Sequence, residues 1–224
     1  MSYLFQEENV GGNKRKSLRF TICVSGAASG ETVKKASKLA EDLGAEIARH
    51  GHILTTGATV GLPFHAAVGA KRAGGMSVGF SPAASLREHL RKYRLPFEPF
   101  DFINFTGLEY VGRDLYLVQS SDAIITVGGR FGSLHEFTSA LEAGKPCGVL
   151  VGSGGTADLI PRLMEVLESP AKSLVVYDDD PKRLVGRIEK ILKQNYEDIR
   201  KEFSRRDHFW YMQGSVHRSD KKRG

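Results

Sequence analysis

Cysteine is scarce in this chain: two residues in 224, Cys23 and Cys147. Each lies inside an apolar, strand-like run, and no CxxC pair occurs. That excludes a disulfide framework and a thiolate metal site, and leaves buried reduced thiols in a cytosolic protein as the expectation. Long apolar runs are also missing. No stretch approaches the roughly 18 apolar residues of a membrane span, and MSYLFQEENVGGNKRKSLRF at the start holds no signal-length apolar segment. A cytoplasmic location with no membrane partner is expected. Tandem repeats are absent. So are several well-known site motifs. There is no GxxxxGK[ST] phosphate loop, no GxSxG elbow and no GxGxxG. Thr55 and Thr56 stand where a dinucleotide site places an acid at the end of its second strand. His135-Glu136 begins like HExxH, but Ser139 replaces the second histidine. No metal and no resident cofactor are expected.

What is there begins with charge. The net charge of +6 suggests nucleic acid until it is mapped. Residues 1–20 carry Lys14, Arg15, Lys16 and Arg19 against Glu7 and Glu8. Residues 203–224 carry Arg205, Arg206, Arg218, Lys221, Lys222 and Arg223 against Asp207 and Asp220. These ends hold all the excess, and the part between them is neutral. The chain therefore reads as a flexible N-terminal tail over 1–17, one domain over 18–202, and a basic C-terminal tail over 203–224. Phe209, Trp210 and Tyr211 are the tail residues suited to dock back on the body. No nucleic-acid partner is expected beyond weak electrostatic contacts of the tails.

The periodicity predicts alternating strands and helices. Strands are expected near 18–24, 52–55, 76–80, 122–127, 147–151 and 173–177, with a short one at 102–105. Helices fall at 31–50, 61–73, 109–121, 134–144, 156–168 and 181–202. In 31–50, Val33, Ala36, Ala40, Leu43 and Ile47 recur at three- and four-residue steps. In 109–121, Leu115 and Val118 are assigned to the apolar side. The stretch 83–101, with Pro96 and Pro99, reads as irregular. This alternation predicts βαβ units: an α/β, three-layer, doubly wound parallel sheet with helices on both faces. Such sheets bind ligands outside the carboxyl ends of their strands. Three glycine-rich segments, Gly26–Gly30, Gly57–Gly61 and Gly128–Gly132, each follow a predicted strand and should share that edge.

Gly128, Gly129, Arg130, Phe131, Gly132 and Ser133 join a strand to a helix. Glycine permits close backbone approach, and the helix start offers free amides and a positive dipole end to a phosphate. Glu136 lies one turn into that helix, within reach of a ligand at its start. Arg113, on the helix before strand 122–127, is the candidate cation for a carboxylate or ligand phosphate. Gly26, Ala27, Gly57 and Gly61 complete the candidate binding set.

The stretch GRDLYLVQSSDAIITVGGRFGSLHEF, residues 112–137, resembles the LOG-like ("lysine decarboxylase-like") superfamily of Rossmann-type proteins. That family shows an Arg on a helix, a strand opening with Asp-Ala, then GGxGTxxE. TGATVGLPFHAAVGAKRAGGMSVGFSP at 56–82 is similar to its upstream hallmark, and the likeness spans roughly residues 18–190. The family contains phosphoribohydrolases that activate cytokinins and carriers of the molybdenum cofactor. The resemblance implies Arg113 and Glu136 as catalytic residues, the 128–133 loop as phosphate site, and a homodimer, with helices 61–73 and 109–121 as the candidate contacts. Arg130 replaces a usual Gly, Ser133 a Thr and His135 a frequent Glu, a pattern closer to the carrier-like branch.

Two functions follow. One is hydrolysis of the N-glycosidic bond of a nucleoside 5′-monophosphate, with Glu136 stabilising the ribosyl cation and Arg113 keeping Glu136 ionised. In that reading a single carboxylate is available. The other is a carrier or sensor of a phosphorylated, nucleotide-like small molecule without turnover.

Overall fold

The computed structural model describes residues 5–10, 13–167 and 169–204. The aromatic triplet at 209–211 and most of the basic tail lie outside these residues. The chain divides into two compact units, Met1–Leu192 and Lys193–Gly224. The first holds the sheet and every site residue discussed below; the described part of the second is the end of a helix.

Seven parallel strands form the central sheet. In chain order they are β3 (Thr21–Gly26), β4 (Ile53–Thr56), β5 (Ser77–Ser81), β6 (Phe102–Phe105), β7 (Ala123–Val127), β8 (Cys147–Leu150) and β9 (Val175–Asp178). Their spatial order is β6-β5-β4-β3-β7-β8-β9. The sheet grows in one direction from β3 to β6 and in the other from β7 to β9. The reversal falls between β3 and β7, where chain connections leave to opposite sides and a crevice opens at the carboxyl ends. The parallel sheet and its strand set match the sequence expectation, including the short strand at 102–105.

The central strands are buried because their sequences are apolar on both faces. Every residue of β7, AIITV, is buried, as is every residue of β8, CGVL. Asp122 fixes where β3 and β7 begin: its carboxylate accepts from the Thr21 amide at 2.7 Å and the Thr21 hydroxyl at 2.8 Å. Cys23, Phe137, Ile124, Leu117 and Ile160 belong to one buried cluster, and both cysteines are free and buried.

The helices are α1 (Glu31–Arg49), α2 (Leu62–Arg72), α3 (Leu86–Arg91), α4 (Glu109–Gln119), α5 (Phe131–Glu142), α6 (Gly155–Val166) and α7 (Pro181–Ser204). α1 and α2 pack backbone to backbone. A Cβ on Gly44 would lie 1.9 Å from the Ala66 carbonyl oxygen, and one on Gly69 would lie 1.9 Å from that of Glu41. The small-residue face of α2, expected at a dimer contact, is thus covered by α1 of the same chain. No helix of the described residues is long and apolar enough to cross a membrane.

The structure departs from the sequence expectation in three further places. Inside the segment expected as a tail, β1 (Phe5–Val10) and β2 (Asn13–Leu18) pair antiparallel, with Glu7 in register with Lys16 and Glu8 with Arg15. This charged pair lacks the apolar alternation that marks a strand. α3 lies in the stretch read as irregular. Ser85 caps it, accepting from the Glu88 amide, and six residues are too few to show a period. On α4 the buried face is Arg113, Asp114, Leu117 and Val118, while Leu115 is half exposed. Two charged residues occupy the inward face because α4 borders the cleft.

Candidate functional site

The crevice between the two halves of the sheet is a cleft of about 620 Å³. Three loops contribute to it, as their positions after strands dictate. Gly26 ends β3 and Ala27 and Ala28 follow it, Gly57 and Thr59 follow β4, and Arg130, Gly132 and Ser133 lie where β7 leads into α5. Tyr110, Arg113 and Asp114 reach it from α4, and Glu136 from α5.

The helix start is open to a ligand. No side chain caps α5 at its amino end, so amides of its first turn are available. The Arg130 carbonyl instead accepts from Leu134 N at 3.0 Å and from the Thr156 hydroxyl at 2.8 Å. A Cβ on Gly132 would meet nothing within 4 Å. The protein leaves empty space there, of the kind an anion fills at a helix start. Arg130 extends across to the first loop, its Nη1 donating to the Ser29 hydroxyl at 3.2 Å.

Not every expected residue faces this space. Gly128 and Gly129, at φ 56° and 109°, turn the chain behind it. Their carbonyls accept from Ala157 N at 2.8 Å and Thr156 N at 3.2 Å, which holds the loop on α6. Gly61, at φ 80°, begins α2 against the first loop, where a Cβ would sit 2.3 Å from the Ala27 carbonyl oxygen. Phe131 is 89% exposed and points to solvent.

Arg113 is buried. Its Nη1 donates to the Phe80 carbonyl at 3.0 Å, and its guanidinium lies 5.9 Å from the Tyr110 ring centre. Gly57 makes room for it, since a Cβ there would come within 1.8 Å of Nη1. Its Nε stands 3.1 Å from Asp114 Oδ1, too poorly aligned for a hydrogen bond and thus left without one. The contact is an ion pair rather than a fork. Asp114 also lies 3.2 Å from His135 Nδ1 through Oδ2.

Glu136 is buried and accepts a hydrogen bond from the Ser25 hydroxyl. Burial pushes its carboxyl up to about 7, and the neighbouring Asp114 carboxylate pushes the same way; Arg113 and the Ser25 hydroxyl oppose them. The expectation that Arg113 keeps Glu136 ionised therefore fails. Arg113 pairs with Asp114, and desolvation wins. The expectation of a single carboxylate also fails, because Asp114 is the second. Beneath them the Cys23 thiol is raised well above its usual range by burial and by Glu136.

The site adds Ser25, Asp114 and Tyr110 to the residues expected from sequence. Tyr110 is one helical turn before Arg113, a spacing that signals contact. Asp114 directly follows Arg113, and neighbours on a helix point about 100° apart, so nothing in the spacing marked it.

A family model for the SLOG cluster4 family matches residues 19–185. The chain belongs to the SLOG cluster4 family. A functionally uncharacterised protein of Archaeoglobus fulgidus is 34% identical over 117 residues, covering 52% of this chain and 72% of that protein. Among solved structures, a molybdenum cofactor binding protein from Rippkaea orientalis is similar at 29% identity and TM-score 0.61, over 78% of this chain and 98% of that one. The molybdenum cofactor carrier protein of Chlamydomonas reinhardtii is similar at 28% identity and TM-score 0.60, over 78% and 99%. The LOG-like, Rossmann-type resemblance drawn from the central motif agrees with these matches.

Proposed function

We propose that this SLOG protein binds a phosphorylated, heteroaromatic small molecule, a nucleotide or a pterin of the molybdenum-cofactor type, as a carrier or sensor. One observation carries the reading: the uncapped start of α5, with vacant space at Gly132 and Arg130 beside it. Phosphate fits there because free amides, a helix dipole and a guanidinium act together. The likeness to two molybdenum-cofactor proteins supports a ligand of this chemistry. The cleft is large enough for the ring system as well as the phosphate. Mass spectrometry of small molecules released on denaturing the purified protein tests it. A phosphorylated heteroaromatic at near-stoichiometric yield is expected; retention of only unphosphorylated compounds would overturn the reading.

The Glu136–Asp114 pair favours a second reading, hydrolysis of a nucleoside 5′-monophosphate. In that reaction water adds to the anomeric carbon as the bond to the base breaks, and the base leaves with the electron pair. One proton must leave the water and one must reach the base. Two neighbouring carboxyl groups, Glu136 raised by burial beside Asp114, supply a donor and an acceptor, and negative charge there stabilises the ribosyl cation.

A homodimer is proposed for either function. Leu108, at the amino-terminal cap of α4, and Val111 and Leu115 on the helix are exposed at three- and four-residue steps, a stripe suited to meeting its own copy.

A further inference from the structure

Outside the cleft, the described residues bring together one group of metal-ligating side chains: His50, His52 and Glu189. The two histidines are placed by the end of α1. His50 is its C-terminal cap residue, and Gly51 follows at φ 78°. Gly51 N donates to the Ala48 carbonyl at 2.9 Å, and His52 N to the Ile47 carbonyl at 3.1 Å. This pair of bonds is the Schellman pattern, which fixes the residues on either side of the glycine. The next residue, Ile53, opens β4, its amide donating to the Phe20 carbonyl at 2.8 Å. Glu189 comes from α7.

The ligand atoms lie close to the spacing that one ion requires. His50 Nδ1 is hydrogen-bonded to Glu189 Oε2 at 3.0 Å, a contact that an ion would replace, and His52 Nε2 is 3.5 Å from Glu189 Oε1. All three groups offer an atom within 4.8 Å of the others. Two donors bound tetrahedrally to zinc at about 2 Å stand about 3.3 Å apart. The His52 side chain is fully buried, and its Nε2, although near Glu189, makes no hydrogen bond. A buried polar nitrogen without a partner is costly, and it faces the carboxylate where an ion would sit.

We propose that His50, His52 and Glu189 form a binding site for a divalent first-row transition metal, with zinc(II) as its best-suited ion. Two imidazole nitrogens and one carboxylate oxygen match zinc, whereas magnesium and calcium prefer oxygen ligands throughout. Three protein ligands leave a fourth position for water, and His50 and Glu189 are only partly covered, at 25% and 17% side-chain exposure. To ligate through Nε2, His52 must carry its ring proton on Nδ1. That gives up one contact, from the Phe20 amide to Nδ1 at 3.5 Å, which is long for a hydrogen bond. Once bound, the ion joins α7 to the turn between α1 and β4 and stabilises the folded chain by mass action.

The test is calorimetric titration of the metal-free, full-length protein with zinc(II), with thermal midpoints read with and without zinc. The wild type should bind one equivalent with micromolar or tighter affinity and melt higher with zinc. Glu189→Gln keeps the shape, and His50→Ala removes a partly exposed ring. Each should weaken that equivalent at least ~100-fold, more than loss of an outer-shell partner, and abolish the zinc-induced rise in midpoint. His135→Ala, at the cleft, should change neither. Zinc binding that is absent, or equally tight in wild type and Glu189→Gln, would show a histidine–carboxylate contact only and overturn the proposal.

Discussion

Asp114 Oδ2 lies 3.2 Å from His135 Nδ1, so one carboxylate links the Arg113-bearing helix to the helix that starts at the proposed phosphate site. Its other oxygen faces Arg113 at 3.1 Å, and it also helps to raise Glu136. The cleft therefore contains a cation, a shared carboxylate and a carboxyl balanced near neutrality.

Ligand affinity should depend on pH through Glu136. Its carboxyl is raised to about 7, first by burial and then by Asp114. Above that pH the group is charged and repels an anionic ligand. Affinity should fall as pH rises from 6 to 8, opposite to the gain expected from the phosphate's own second ionisation near pH 6. Glu136→Gln should remove the fall. Calorimetry across this range checks it.

The same shift makes a stability prediction. The folded value lies above the unfolded one near 4.5, so the folded state binds the extra proton between them. Stability should thus fall as pH rises from about 5 to 7, with the loss complete above the folded value. The effect of this one group is on the order of 3 kcal/mol. Urea unfolding of wild type against Glu136→Gln at pH 5 and pH 8 measures it; an equal pH response in both proteins would contradict it.

Arg113 and Arg130 should separate by phenotype. Arg113→Ala leaves buried Asp114 without its cation and should destabilise the fold by about 3 kcal/mol. Arg130→Ala removes an exposed guanidinium and should leave the melting temperature unchanged. It should weaken binding of a phosphorylated ligand by about 10-fold or more, the scale of one charge-assisted bond. Gly57→Ala should mimic part of the Arg113 defect, because the new methyl group needs the space that Nη1 occupies.

For the hydrolytic reading, a panel of nucleoside 5′-monophosphates should release free base, and Glu136→Gln should slow that release by ~100-fold while still binding. Tight binding with no base released assigns the cleft to carriage alone.

The fold was legible because its evidence is periodic. Uniformly apolar runs such as 123–127 alternate with amphipathic helices, and glycines follow the strands, which places three loops on one edge. The lining of the candidate cleft was legible in part from residue type: glycines in loops after strands, with Arg113 and Glu136 on the helices beside them. Asp114 was not, since its importance comes from burial beside Arg113 and from His135 across the helix pair. Ser25 directly follows the predicted strand 18–24, and its bond to Glu136 spans 111 positions. Gly61, Gly128 and Gly129 announced a site but serve the backbone turns behind it. Phe131 shared the motif without sharing its direction.

Gly132→Ala probes the phosphate site proposed at the start of α5. The added methyl group meets no protein atom within 4 Å, and alanine favours a helix by up to about 1 kcal/mol. The measurement is calorimetric affinity of wild type and Gly132→Ala for nucleoside and pterin phosphates and their dephosphorylated counterparts. Wild type should prefer a phosphorylated form at least ~10-fold, the scale of one charge-assisted bond, and Gly132→Ala should lose this preference while melting no lower than wild type. Equal affinity of wild type for phosphorylated and dephosphorylated forms would contradict it.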